Sequence, residues 1–331
     1  MRRSLAVVAL FCCLSPAWSA AGEIPRRHSS WIKLSTADFE AYTTGDEEAG
    51  RNLVVRLEQL RAILQPILGW RGEPRDQREK PICVIAFGSR DEFQPYAPIS
   101  RSIGFFLPGT RRDFVVLDGS RADGRVAAHE YVHFLMAGSG MHLPVWLNEG
   151  LAELYSNLWE SRDGERTELG QFIPERVLAL RRDRWIPLAD LIAAKADSGI
   201  FTDSALVDAA YAESWLLAHM LVLDPRYQDR FPDFLAAVQA TGTAAAMGQV
   251  YGKPLPEIET DLRAHLEAGQ TNIRILGDPP GTVDLRITAE YGADFDGLSA
   301  VAEMLGNYRG RVEQSRQMYR QLERDYPQRM P

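Results

Sequence analysis

The chain is poor in cysteine and in net positive charge, and each shortage excludes something. Three cysteines occur in 331 residues, at Cys12, Cys13 and Cys83. The first two fall in an N-terminal segment that reads as a secretory signal. Only Cys83 is then expected in the mature chain, which leaves no intrachain disulfide. Cys83 sits in the apolar run ICVIAF and is expected to be a buried small hydrophobe. The fold must stand on its core, helped by a metal if one binds. Acidic residues outnumber basic ones, for a formal charge of -8. That balance argues against nucleic acid or an anionic membrane surface as the main partner.

The signal reading rests on Arg2 and Arg3, then the apolar run from Leu5 to Leu14, then PAWSAAG, with cleavage after Ser19 or Ala21. The run is too short to span a bilayer, so no membrane anchor is expected once it is removed. Phe11 before Cys12 does not fit a lipid-attachment site. Loss of Arg2 and Arg3 would move the formal charge to about -10. The alternative is a buried N-terminal helix. The expected location is secreted or periplasmic.

The composition, 45% hydrophobic and 25% charged, is that of a globular chain with a sizeable core. An α+β fold is expected, in four parts: the signal over 1–21, an α/β part over 22–123, a helical part over 124–270, and a linker with a C-terminal helical hairpin over 271–331. In the α/β part, 30–44 reads as a strand or hairpin. Asp46 can cap a helix that runs to Leu68, where Leu53, Val54, Leu57, Leu60, Leu64 and Leu68 recur at helical spacing. Ile82 to Phe87 reads as a buried strand, and Gly104 to Ser120 as two strands around Pro108–Gly109. Helices are expected over 124–137, 147–159, 174–181, 188–196, 204–222, 231–240 and 256–267. The hairpin over 298–326 resembles a single tetratricopeptide-type unit. One such unit cannot form a solenoid, so it is expected to be a packed cap or a protein contact.

What the chain does have is AAHEYVHFLM, from Ala127 to Met136. On a helix, residues four apart share a face, so His129 and His133 point the same way, with Glu130 at its flank. The rest of the stretch is apolar, which implies burial. Burying two imidazoles and a carboxylate without partners costs several kcal/mol. A zinc ion relieves that, because neutral imidazoles at this spacing can share one ion. The alternative is a core helix whose histidines bond to carbonyls.

A catalytic zinc wants three protein ligands. After the loop AGSGMHLP comes WLNEGLAELYSNLW, where Glu149 and Glu153 are again four apart. A short loop makes the two helices antiparallel neighbours. Glu149 is then the candidate third ligand, and Glu153 a candidate partner for the outer N–H of a histidine. The alternative for both is a solvated helix face.

HEYVH, then fifteen residues, then Glu149 within WLNEGLAEL resembles the gluzincin zinc metallopeptidases, in particular their peptidase MA-like branch. VIAFGSRDEFQPYA, YAESWLLAHML and FLAAVQATG with YGKPLPEIETDLRAHL extend the resemblance over roughly residues 30–270. It implies a thermolysin-like zincin fold and one zinc per chain on His129, His133 and Glu149. It implies that Glu130 activates the water and carries its proton to the leaving amine. It implies a downstream electrophile, for which Tyr211 is the candidate; the alternative is a packing tyrosine. His219 is expected to be a core histidine and His142 a solvated loop residue. DFVVLDGS is the candidate edge strand for a peptide substrate. Arg111 and Arg112 are expected to be solvated. No G-x-M-E-N motif is present, so an exopeptidase reading lacks support. Two alternatives to a peptidase stand beside it: a non-catalytic binding or assembly module on the same scaffold, and a zinc hydrolase acting on a non-peptide substrate.

Overall fold

In a computed structural model the chain is an α+β protein. The structure describes residues 30–68, 82–121, 124–138, 140–160, 166–182, 185–269, 272–277 and 286–329. The expected signal, 1–21, lies outside them. The chain divides into two compact units, Met1–Leu135 with Thr282–Pro331, and Met136–Gly281.

The first unit begins with β1 (Ile32–Ser35) and β2 (Phe39–Thr43), an antiparallel hairpin. Then α1 (Glu47–Ile67) follows, and Asp46 caps it by accepting from the Ala49 N–H at 3.1 Å. β3 (Ile82–Phe87), the short α2 (Arg90–Phe93), β4 (Gly104–Leu107) and β5 (Phe114–Asp118) come next, and then α3 (Gly124–Gly138).

The second unit starts with α4 (Val145–Ser156), followed by β6 (Leu158–Glu160) and β7 (Thr167–Leu169). It continues through α5 (Pro174–Arg182), α6 (Leu188–Ala193), α7 (Gly199–Thr202) and α8 (Val207–Leu223). It closes with α9 (Phe231–Thr241), α10 (Thr243–Tyr251), α11 (Leu255–Ala268) and β8 (Arg274–Gly277). The chain then returns to the first unit with β9 (Thr288–Tyr291), α12 (Asp294–Asn307) and α13 (Val312–Asp325).

The first unit is a mixed sheet ordered β4-β5-β3-β2-β1-β9. β2, β3 and β5 run parallel, and β4 and β9 add antiparallel at the two ends. Alternation along the strands sorts side chains to two faces. One face meets α1 and α3: a Cβ at Gly50 of α1 would stand 2.8 Å from Leu34, and one at Gly104 would stand 2.8 Å from Leu117 and 3.2 Å from Val126 of α3. Phe39–Tyr131 and Phe106–Phe134 ring contacts seal α3 against the sheet. The other face carries Tyr42, Cys83, Ile85, Phe114 and Val116, which share a core with Ala300, Val301, Met304 and Leu305 of α12. A Cβ on Gly297 would meet the Trp31 ring at 2.4 Å, so only glycine lets α12 come this close.

The expected parts 22–123, 124–270 and 271–331 do not coincide with these units. In the C-terminal part, β9 pairs with β1, and the apolar side of α12 covers the sheet. Two expectations are corrected. Arg112 is not solvated, because its guanidinium lies between Glu40 and Glu303 and ties α12 to the sheet. The strand in DFVVLDGS, β5, has no open edge, because β3 and β4 pair with it on either side. The sheet edge next to it is β4.

In the second unit α4 and α8 pack side by side, and α8 is buried on nearly all sides. β6, β7 and β8 form a small antiparallel sheet. The helix expected over 147–159 ends at Ser156. Asn157 leaves it, its side-chain amide donating to the Gln171 carbonyl at 2.7 Å, and the next residues pair as β6.

Candidate metal centre

α3 forms because AAHEYVHFLM offers good helix formers and a wide apolar surface. Ala127, Ala128, Tyr131, Val132, Phe134, Leu135 and Met136 are buried, while His129, Glu130 and His133 are half-buried. The expectation of full burial is thus corrected. The three polar side chains line the accessible strip of an otherwise sealed helix, so their solvation cost is smaller than the sequence suggests.

Helical spacing brings His129 and His133 together. Their Nε2 atoms are 3.0 Å apart and the rings meet edge to face. Two imidazole nitrogens this close either share a proton or straddle a cation.

α4 is buried along its whole length, including Glu149 and Glu153. That rules out the solvated-face alternative for both carboxylates. The glycine after Glu149 is the reason α4 sits so deep. A Cβ on Gly150 would stand 2.2 Å from the Ser214 carbonyl oxygen and 3.0 Å from Ala218 of α8. Trp146 fixes the start of α4 by donating its indole N–H to Thr243 Oγ1 at 3.0 Å.

His129, His133 and Glu149 form one group: a ligand atom from each lies within 4.8 Å of the others. This fits a divalent metal. Two nitrogens bound to a tetrahedral zinc stand about 3.3 Å apart, given bonds of about 2.05 Å. The observed 3.0 Å is close to that. Two neutral imidazoles and one carboxylate also make a donor set that suits zinc, leaving one charge uncompensated on the ion.

Glu153, one turn after Glu149, is held by Arg176 of α5. Arg176 Nε donates to Oε2 at 3.1 Å and Nη2 to Oε1 at 2.8 Å. Tyr211, half-buried on α8, lies with its ring centroid 5.5 Å from the Arg176 guanidinium carbon. Burial alone would depress the charge on Arg176. The Glu153 carboxylate, with smaller contributions from Tyr211 and Asp208, holds its pKa above the usual value. Sequence reasoning missed Arg176. It lies 23 residues from Glu153, in a helix with no distinguishing motif.

The remaining candidates fall elsewhere. His142 is an exposed loop residue. His219 is fully buried, with Nε2 against the Gly170 carbonyl at 2.9 Å and Nδ1 against His265 Nε2 at 2.8 Å. Burial pushes the His219 pKa down to about 4, so the ring is neutral near pH 7. It is a core histidine, as its apolar surroundings led one to expect. No protein-family model matches the chain, and a comparison with curated proteins finds no match either.

Proposed function

We propose that this chain is a secreted or periplasmic zinc metallopeptidase of the gluzincin type, with a thermolysin-like zincin fold. The observation that carries this reading is the convergence of His129, His133 and Glu149, contributed by an HEYVH helix and a buried WLNEG helix. One zinc per chain would be held by these three side chains. When bound, zinc acts as a Lewis acid that makes a water more acidic and polarises a carbonyl.

The chain's own groups do the rest. Glu130 follows His129 on α3 and is half-buried, which suits a base that must reach both water and substrate. It takes the proton of the attacking water and delivers it to the leaving amine. Tyr211 donates its phenolic O–H to the oxygen that gains charge as the carbonyl becomes tetrahedral. Glu153 orients one ligand histidine through its outer ring N–H. An extended peptide adds as a strand to the edge of β4, which α3 packs against through Phe106 and Phe134. That edge favours a peptide or protein substrate, and the lack of a G-x-M-E-N motif favours an endopeptidase. The outer side of α13 is what the C-terminal hairpin leaves for contact with another protein.

The test is metal analysis of the purified protein, with a peptide-library digest of wild type against Glu130→Gln. About one zinc per chain and cleavage lost only in the variant are expected. Unchanged cleavage by Glu130→Gln removes Glu130 from the chemistry. A folded wild type that takes no zinc removes the reading itself.

A further inference from the structure

Arg176 is mostly buried, and its carboxylate partner more so: the side chains are 18% and 5% exposed. A buried ion pair adds little net stability compared with apolar groups of similar size. What the planar fork of an arginine does supply is direction, since two parallel hydrogen bonds fix the carboxylate plane. Here the fork takes both oxygens of Glu153. Glu153 and Glu149 are one turn apart on α4, so holding one fixes the side of the helix on which the other stands. The same guanidinium lies over the Tyr211 ring. Three helices, α4, α5 and α8, thus meet at one cation.

We propose that Arg176 is a positioning residue: by clasping Glu153 and lying over Tyr211, it holds the carboxylate face of α4 and the phenol of α8 in one fixed arrangement. The inference rests on the zinc-peptidase reading of the site. It gives Arg176 no contact with substrate or metal. Its effect passes through Glu153 and Tyr211.

The experiment compares full-length wild type, Arg176→Lys, Arg176→Gln, Glu153→Gln and the Glu153→Gln/Arg176→Gln double variant. Zinc affinity is measured by competition with a chelator, and thermal stability is measured on the metal-free proteins. Loss of an outer partner of a metal site lowers affinity about 10- to 100-fold. Arg176→Gln should show a loss in that range. Arg176→Lys keeps the charge but not the fork, and should fall between it and wild type. In the Glu153→Gln background Arg176→Gln should cause little further loss, because the two act as one unit. On any peptide the wild type cleaves, Arg176→Lys should lower kcat more than it raises KM. If Arg176→Gln does not fold, Arg176→Lys carries the same comparison. A wild type that binds zinc, with folded variants matching its affinity within twofold, overturns this inference alone, leaving Arg176 a packing residue. A wild type that binds no zinc overturns the zinc reading, and this inference with it.

Discussion

Gly150 and Ser214 meet so closely that α4 and α8 have room for no side chain between them; a Cβ on Gly150 would stand 2.2 Å from the Ser214 carbonyl oxygen. Because Gly150 follows Glu149, the depth of that contact also sets where Glu149 stands.

Gly150→Ala should therefore push α4 away from α8. Overpacking of this kind costs about 3 kcal/mol, and displacement of Glu149 should lower zinc affinity as well. Gly248→Ala is the control. That glycine lies inside α10 and a Cβ there meets nothing within 4 Å. It should be neutral, or stabilise by about 0.5–1 kcal/mol through helix propensity. Denaturant unfolding and zinc titration of the two variants check the contrast.

His133→Ala and Glu149→Ala should each lose zinc at micromolar concentrations. In both, added zinc should no longer raise the melting temperature, because ligand binding to the folded state is what supplies that gain. Melting curves with and without zinc, or after chelation, are the measurement.

Acid should weaken the second unit through His219. Burial is the main cause of its low pKa, with the neighbouring His265 adding to it and the Gly170 hydrogen bond opposing it. His265 is lowered too, again by burial first. The folded state resists protonation while the unfolded chain accepts a proton near pH 6.5. Stability is thus complete above that pH and is lost as pH falls towards about 4. His219→Phe should flatten this acid limb, even if it lowers stability at pH 8 by leaving the Gly170 carbonyl unbonded. Unfolding free energies from pH 4 to pH 8 test the slope.

Glu213 should act in the opposite sense. It is buried on α8 and accepts from the Ile186 N–H at 2.6 Å. Burial pushes its pKa up to about 8, the hydrogen bond opposing the shift. Its contribution is complete below about pH 4.5 and is lost as pH rises through about 8. Glu213→Gln keeps an acceptor for Ile186 and removes the charge, so it should stabilise the protein by about 1–3 kcal/mol at pH 9 and leave it little changed at pH 4.5. A variant no more stable than wild type at pH 9 refutes the buried-carboxyl explanation.

The parts legible in the sequence are those with a local cause. His129 and His133 meet because one helical turn separates them, and the same rule links Glu149 to Glu153. The Asp46 cap and the apolar run of β3 are equally local. What the sequence hid depends on distant partners. β6 and β7 are three residues each, too short for any alternation to register. The start of α10 is small and weakly patterned, TAAAMGQVY, and follows Gly242 at φ 80°. Arg176 gains meaning only from residues on two other helices. The Pro108–Gly109 turn makes β4 and β5 neighbours, but nothing near them shows that β3 takes the other side of β5 and leaves β4 as the edge. Arg112 looked exposed because Glu303 lies 191 residues away.

The sheet of the first unit draws one of its two outer strands and much of the cover of one face from the last forty or so residues of the chain. During synthesis the whole second unit is therefore made before the first can close. Until α12 arrives, the Trp31 ring lacks the helix that packs on it at Gly297, and β1 offers an unpaired edge where β9 will lie. A nascent chain of this kind is exposed to edge-to-edge association for most of its translation. Termination before residue 294 should therefore yield an aggregating product rather than a shorter working protein.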